Sequence, residues 1–193
     1  MNAIERRYLA YFDEINVLAS KIDVETVTVD EAQKRVRDIL EEAYLLGYFD
    51  CGYELGDYPE RVADRTKMYN LLTVEYEGLT TDDRIAECVI DRDQARLRKV
   101  LETQWHLMYG GGGYDRAEEI EEEEDEIIFK TWHTMRDNRV RETHEPLEGI
   151  RVPFRSLFWT WDGDSAPYPG AFRSAANNVN CRCRVSYTRQ GSL

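Results

Sequence analysis

Near its C-terminal end the sequence carries Cys181-Arg182-Cys183, and well before it stands His144. Two cysteines two apart on a strand point to the same face, so one cation could meet both sulfurs, with His144 as a third ligand and His133 or Asp137 as a fourth. Structural zinc sites ordinarily space paired cysteines by roughly two to four residues and supply a second pair elsewhere, whereas this chain has one tight pair. The plainer reading of the same residues is two small buried thiols packed beside a hydrogen-bonded histidine, with no cofactor at all.

Asp137, Arg139, Arg141 and His144 form a second group. If residues 137–144 make a short helix, Asp137 and Arg141 stand four apart and pair. A nuclease or a transferase would want such groups in a cleft. Yet no second carboxylate at telling spacing, no glycine-rich phosphate loop and no nucleophile elbow accompanies them. The stronger reading is a structural network in which arginines bond carbonyl groups and pin a small domain, so no catalytic residue is assigned. Planar arginine donors also suit protein interfaces and phosphates.

These groups need elements to hold them. The chain has 193 residues, 42% of them hydrophobic, 11% aromatic and 33% charged, enough for one substantial core or for a helical unit with a smaller second one. Its net charge of −13 is the opposite of what a general nucleic-acid coat carries. The charge is uneven: residues 1–129 hold 15 Lys and Arg against 32 Asp and Glu, residues 130–193 hold 10 against 6. Four scattered cysteines do not make a secreted disulfide scaffold, and Cys51 and Cys88 sit in helix-like apolar stretches that suggest buried thiols. The charged start Met1-Asn2-Ala3-Ile4-Glu5-Arg6-Arg7 and the short apolar runs predict a chain that is cytoplasmic at synthesis, with no membrane association.

Ile4, Tyr8, Phe12, Ile15, Leu18 and Ile22 recur at helical spacing. Thr28-Val29-Asp30-Glu31 reads as a capping box before Ala32, Val36, Ile39, Ala43 and Leu46, in a helix ending between Gly47 and Gly56. After Tyr58-Pro59, a third stripe comprises Val62, Tyr69, Leu72, Tyr76 and Leu79. Thr80 to Asp83 offers caps for a helix through Ile85 and Val89, and a longer helix is expected over about residues 92–109. Gly110 to Gly113 then predict a break, because each glycine costs a helix about 1 kcal/mol relative to Ala. Residues 118–126 carry eight acids in nine positions, read as a solvated face or as a docking strip for a basic partner or for this chain's own C-terminal part. Alternation from Ile127 to Thr134 predicts a strand with an aromatic-rich buried side. Short aromatic and β-branched segments at 150–154, 157–161 and 182–187 complete a small unit whose core should hold Trp132, Trp159, Trp161, Phe154, Phe158 and Phe172. The expected fold is α+β: a helical domain over 1–109, a glycine-rich and acidic hinge over 110–126, and a small mixed domain of short antiparallel strands over 127–193.

Two passages resemble the phage Mu protein F-like minor head, or head-morphogenesis, family. One is Leu101-Glu102-Thr103-Gln104-Trp105-His106-Leu107-Met108-Tyr109 followed by Tyr114-Asp115-Arg116-Ala117, which looks like the family's Thr-rich helix. The other, more specific in order and spacing, is Lys130-Thr131-Trp132-His133-Thr134 with Asp137, Arg139, Val140, Arg141, His144, Leu147, Gly149, Phe154, Tyr168-Pro169-Gly170 and Asn180-Cys181-Arg182-Cys183. Together they span about residues 80–187. The resemblance implies a minor capsid protein of the virion, present in a few copies in the capsid interior near the portal and in the host cytoplasm during assembly. Its partners would be portal protein and capsid protein, with a part in DNA packaging or ejection through the basic C-terminal region. The alternative, from another class, is a phage-delivered toxin-like enzyme, a nuclease or ADP-ribosyltransferase, using Arg139, Arg141 and His144.

Overall fold

The computed structural model describes residues 3–58, 63–75 and 78–191. The expected stripe residues Val62 and Tyr76, and the side chains of Ile4 and Phe12, lie outside what is described. The chain is α+β, with helices first and a small antiparallel sheet after them.

Helix α1 (Ala3–Ser20) buries Tyr8, Ile15 and Ala19, and the turn after it buries Ile22. Helix α2 (Val29–Leu55) begins where Thr28 accepts the Glu31 N–H at 3.3 Å, and stops at Gly56, whose φ of 70° lies in the left-handed region that glycine enters freely. Helix α3 (Arg65–Leu72) buries Met68 and Leu72 but turns Tyr69 outward. Helix α4 (Thr81–Ile90) carries a complete capping box between Thr80 and Asp83. Cys51 and Cys88 are buried as free thiols.

Helix α5 (Gln94–Glu124) passes straight through Gly110 to Gly113 and through most of the acidic run, so the expected hinge over 110–126 is instead continuous helix as far as Glu124. The reason is packing. Successive residues of a helix point about 100° apart, so four in a row face all sides, and here each side meets a different neighbour. A methyl group at Gly110 would strike Tyr168, at Gly111 Leu71, at Gly112 the Tyr44 carbonyl of α2, and at Gly113 it would crowd Tyr187. Gly47 of α2 answers from the other side, where a methyl would overlap the Tyr109 carbonyl. Two helix backbones thus touch directly, and the lost helix propensity is offset by the contact that only glycine allows.

The C-terminal part builds a three-stranded antiparallel sheet in the order β2 (Arg151–Pro153), β1 (Ile128–His133), β5 (Arg184–Arg189), with a two-stranded hairpin of β3 (Phe158–Trp159) and β4 (Ser165–Ala166) and a short helix α6 (Ala175–Asn178). Strand β1 turns Ile128, Lys130 and Trp132 inward, as the alternation predicts. Residues 137–144, expected as a helix, form turns leading to a single 3-10 turn at Glu145–Leu147. Side chains hold the backbone there in place of a helical ladder. Glu148 accepts from the Thr134 N–H and hydroxyl and from Arg136, and Asp137 accepts the Arg139 N–H at 3.0 Å. Asp137 pairs with Arg182 at 2.7 and 2.9 Å rather than with Arg141.

Trp132, Phe154, Phe158 and Phe172 are buried as expected, but Trp159 and Trp161 are 63% and 69% exposed. Strand alternation explains the first, since Phe158 takes the inward position, and Trp161 lies in the hairpin turn. One apolar cluster, around Trp132, Leu147, Phe158, Phe172, Cys181 and Cys183, belongs to the C-terminal part. Another joins Cys51 and Leu55 of α2 and Ala117 and Ile120 of α5 to Ile128, Phe154 and Tyr187. The small unit therefore has one apolar cluster of its own and shares a second with α2 and α5.

Replacing Gly112 by Ala should destabilise the fold by about 3 kcal/mol, at the high end for overpacking, although an exposed helix would gain about 1 kcal/mol from the same change. Chemical denaturation gives the sign directly. A neutral or stabilising result would contradict the backbone contact between α2 and α5.

Candidate functional site

Asn180 begins the site. It follows α6 with a φ of 58°, in the left-handed region that Asn tolerates better than most residues, and this reversal aims the next three residues back into the fold. Asn178 fixes the loop by accepting the Phe172 N–H at 3.0 Å and donating to the Phe172 carbonyl, while its own carbonyl accepts the Cys181 N–H. Cys181 and Cys183 therefore sit in an extended segment just before β5, not on the strand itself. Both thiols are buried and both lie 3.6 Å from Nδ1 of His144. Their ligand atoms and that of His144 fall within 4.8 Å of one another.

His144 is placed by turns, its N–H bonding the Arg141 carbonyl, and its ring stacks on Phe172 and meets Trp132 edge-on. Gly149, with a φ of 73°, returns the chain so that its N–H bonds the Trp132 carbonyl at 2.9 Å. Of the residues singled out in the sequence, the structure thus brings together Trp132, His144, Cys181 and Cys183, and uses Gly149 and Asn180 as backbone reversals. Asp137 stands outside in its ion pair with Arg182. Arg139 is exposed, Arg141 is half-buried, and His133 points to Ser186 at 2.7 Å, so neither His133 nor Asp137 completes a ligand set.

Two residues outside the expected set belong to the site. His106, on α5, is buried, and so is Tyr8 from α1. The Tyr8 hydroxyl is 2.8 Å from Nδ1 of His106 and donates to the Cys183 carbonyl at 3.4 Å. Within the sulfur pair, the hydrogen bond from Cys183 holds the Cys181 thiol well below its ordinary range, against burial, with His106 and His144 helping. The same bond, together with burial, pushes Cys183 up, so Cys181 gives up its proton first.

Two cavities lie near this cluster. One, of about 20 Å³, is lined by His106, Cys183, Asp50, Glu54, Arg184 and neighbours, and holds no more than a water or two. The other, of about 440 Å³, lies between Leu71, Val100 and Leu107 on one side and Phe172, Ala175 and Val179 on the other. Arg139, Arg141 and His144 line neither.

Lys130 is fully buried on β1, its ammonium 2.8 Å from the Pro167 carbonyl and over the rings of Tyr114, Phe154 and Phe158. Burial pushes it down from 10.5 to about 7. Between those values the unfolded chain holds a proton that the folded chain lacks, so stability falls as pH drops toward 7 and levels off below it. Relative to Lys130→Met, the natural chain should lose on the order of 1 kcal/mol per pH unit across that window in equilibrium denaturation. A constant difference from pH 10 to pH 7 would show that Lys130 keeps its charge in the fold.

With this geometry established, comparison with known proteins is informative. A family model described as Phage Mu protein F like protein matches residues 56–186. The minor head protein GP7 of Bacillus phage SPP1 is 26% identical over 99 residues, covering 51% of this chain and 32% of that protein. The NAD(+)–arginine ADP-ribosyltransferase EFV of Enterococcus faecalis is 29% identical over 120 residues, covering 59% of this chain and 23% of that protein. The chain thus spans about a third of the length of one curated relative and about a quarter of the other. No solved structure matches. Among the described residues no helix is long and apolar enough to cross a membrane. The matched stretch takes in the glycine-bearing helix, the sheet and the Cys181–Cys183 segment, and the chain belongs to the Phage Mu protein F like family.

Proposed function

We propose that this chain is a structural minor component of a phage head, carried in the capsid interior near the portal, where it binds portal and capsid protein during assembly and performs no catalysis. Family membership and the minor head protein of phage SPP1 support the role. The observation that carries the binding mode is the exposed pair Trp159 and Trp161 on a rigid hairpin. Large aromatic side chains left in water are characteristic anchors of protein interfaces. The hairpin is held in advance: Thr160 donates to Asp162 at 2.5 Å, Asn177 donates to both Asp162 and Asp164, and the Trp161 indole donates to the Glu142 carbonyl at 3.2 Å. A partner therefore need not order it on binding.

Contact with packaged DNA during packaging or ejection is the weaker part of this reading. Five of the ten basic residues of the C-terminal part are ion-paired within the chain: Arg136 with Glu148, Arg155 with Glu118, Glu121 and Glu122, Arg182 with Asp137, Arg184 with Glu54, and Arg189 with Glu124 and Glu126. The charge of those five is already neutralised by carboxylates rather than by phosphates. The enzymatic alternative rests on the ADP-ribosyltransferase relative. Against it, His144 is buried against two thiols while Arg139 is exposed, so the three candidate groups share no cleft.

In phage carrying Trp159→Ser and Trp161→Ser, purified heads should lack this protein, while the isolated variant melts within about 2 °C of the natural chain because both side chains are exposed. Normal incorporation of the variant, or a natural chain found only free of heads, contradicts the proposal. Incubation with NAD and an arginine acceptor should yield no ADP-ribosyl transfer, and transfer lost in His144→Gln would replace it with the enzyme reading.

A further inference from the structure

We propose that Cys181, Cys183, His144 and His106 form a four-coordinate zinc site that ties helix α5 to the C-terminal sheet. The inference stands apart from the assembly role, because it concerns what binds inside the chain rather than what binds to it.

The spacing is the first support. In a tetrahedral site with Zn–S of about 2.3 Å and Zn–N of about 2.0 Å, the edge from sulfur to nitrogen is about 3.5 Å. Both sulfurs stand 3.6 Å from His144 Nδ1. A neutral imidazole nitrogen has one lone pair and can accept one S–H, so in the metal-free chain the second thiol bonds its partner sulfur instead. A cation between the three atoms holds both sulfurs at the nitrogen directly.

The second support is the state of His106. Its Nε2 is buried with no hydrogen-bond partner, which is costly for a polar atom. The one Tyr8 hydroxyl proton stands between the Cys183 carbonyl at 3.4 Å and His106 Nδ1 at 2.8 Å. In the tautomer with that proton on the carbonyl, Nδ1–H donates to Tyr8 and Nε2 holds an unshared pair inside the fold. Metal-bound histidines are oriented in this manner, one nitrogen donating to a fixed acceptor while the other ligates. His106 lines the same small cavity as Cys183, and the Gly170 turn packs on the backbone of His106 and Leu107, where no larger residue fits.

The third support is Trp132, whose buried indole N–H stands beside the sulfur pair and is directed at Cys183. A thiolate bound to a cation still accepts hydrogen bonds, and this donor is positioned to serve Cys183. Two thiolates and two imidazoles in a closed, buried set select zinc among the common divalent ions.

The test uses the full chain. After expression in zinc-supplemented medium, elemental analysis should find one zinc per chain, and Co2+ added to the stripped protein should give the visible bands of a tetrahedral site with thiolate charge transfer. Cys181→Ser and Cys183→Ser should abolish both signals, and Cys51→Ser should change neither. His106→Gln should weaken zinc affinity at least about 10-fold and shift the cobalt bands, and Tyr8→Phe should weaken it about 10-fold through the lost orienting bond. If His106→Gln does not fold, the nitrogen chemical shift of His106 Nε2 in the natural chain decides, since it moves on zinc addition when that atom ligates. A chain that takes up neither metal, or one isolated metal-free with a Cys181–Cys183 disulfide, overturns the site. Unchanged affinity in His106→Gln, or an unmoved Nε2 signal, overturns the role of His106.

Discussion

Between Tyr44 and Tyr48 of α2, and between Tyr109 and Gly113 of α5, two helix backbones approach so closely that neither Gly47 nor Gly112 could carry a methyl group. The position of α5 follows from that contact. With the helix held there, one stretch of it offers Leu101, Trp105 and Met108 to the helical core, His106 lines the same small cavity as Cys183, and Ala117 and Ile120 pack with Ile128, Phe154 and Tyr187 of the C-terminal part. A helix a few ångströms farther out would lose dispersion contacts along its whole length, since packed interiors tolerate gaps poorly. The glycines weaken the helix locally and position it globally.

The acidic end of α5 shows a similar dependence on distant residues. A helix C-terminus carries partial negative charge, so Glu121 to Glu124 stand where acids are least favourable, and no basic residue lies in the last turn. The correction comes from the sheet. Arg155 bonds Glu121 and Glu122 at 2.8 and 3.1 Å, and Arg189 joins Glu124 and Glu126 across the helix end, each holding several carboxylates in place. Arg116, nearly buried, pairs with Glu119 at 2.9 Å and with Asp57. The exposed pairs at Arg155 are individually weak. Here their collective effect is to make the final turns of α5 compatible with helix, so the uneven charge of the two halves is complementarity within one chain.

How far the sequence could be read follows from the range of the forces involved. Caps at Thr28 and Thr80, the stop at Gly56, the stripe of α2 and the alternation in β1 are local signals that the structure carries, whereas Tyr69 of the third stripe faces outward. The tract from Lys130 to Cys183 reads as one compact body, and the structure does gather Trp132, His144 and both thiols there, although Arg139 stays exposed outside it. What misled were features whose local and tertiary meanings oppose. Four glycines in isolation end a helix, yet with a second backbone against them they permit one. Asp137 and Arg141 at helical spacing suggest an internal pair, but Asp137 meets Arg182 from far along the chain. Size alone puts Trp159 and Trp161 in the core, whereas alternation from Phe158 turns Trp159 outward. His106 is hidden for a different reason: it lies 98 residues from Tyr8 and 75 and 77 from the two cysteines (181 − 106 and 183 − 106), and a lone histidine on an apolar helix face carries no local sign of its partners.

The same register links the buried cluster to the exposed hairpin. Trp132 meets His144, Phe158 and Phe172 edge-on, with ring centres 5.5, 5.0 and 5.8 Å away, so His144 and the first strand of the hairpin press on a single indole. Phe158 can occupy its inward site only if Trp159 points out, because successive strand residues alternate. The sulfur–histidine cluster sits on the other side of the same rings, with Phe172 stacked on His144 and its backbone clamped by Asn178 two bonds over. Loss of order around Cys181 and Cys183 would therefore be felt first at His144, then at Trp132, and then at Phe158. An exposed tryptophan pair is useful for docking only while its orientation is fixed, since ordering loose side chains subtracts from binding. Through Trp132 the interior that holds the cysteines is thus packed directly against the strand that carries the hairpin's outer face.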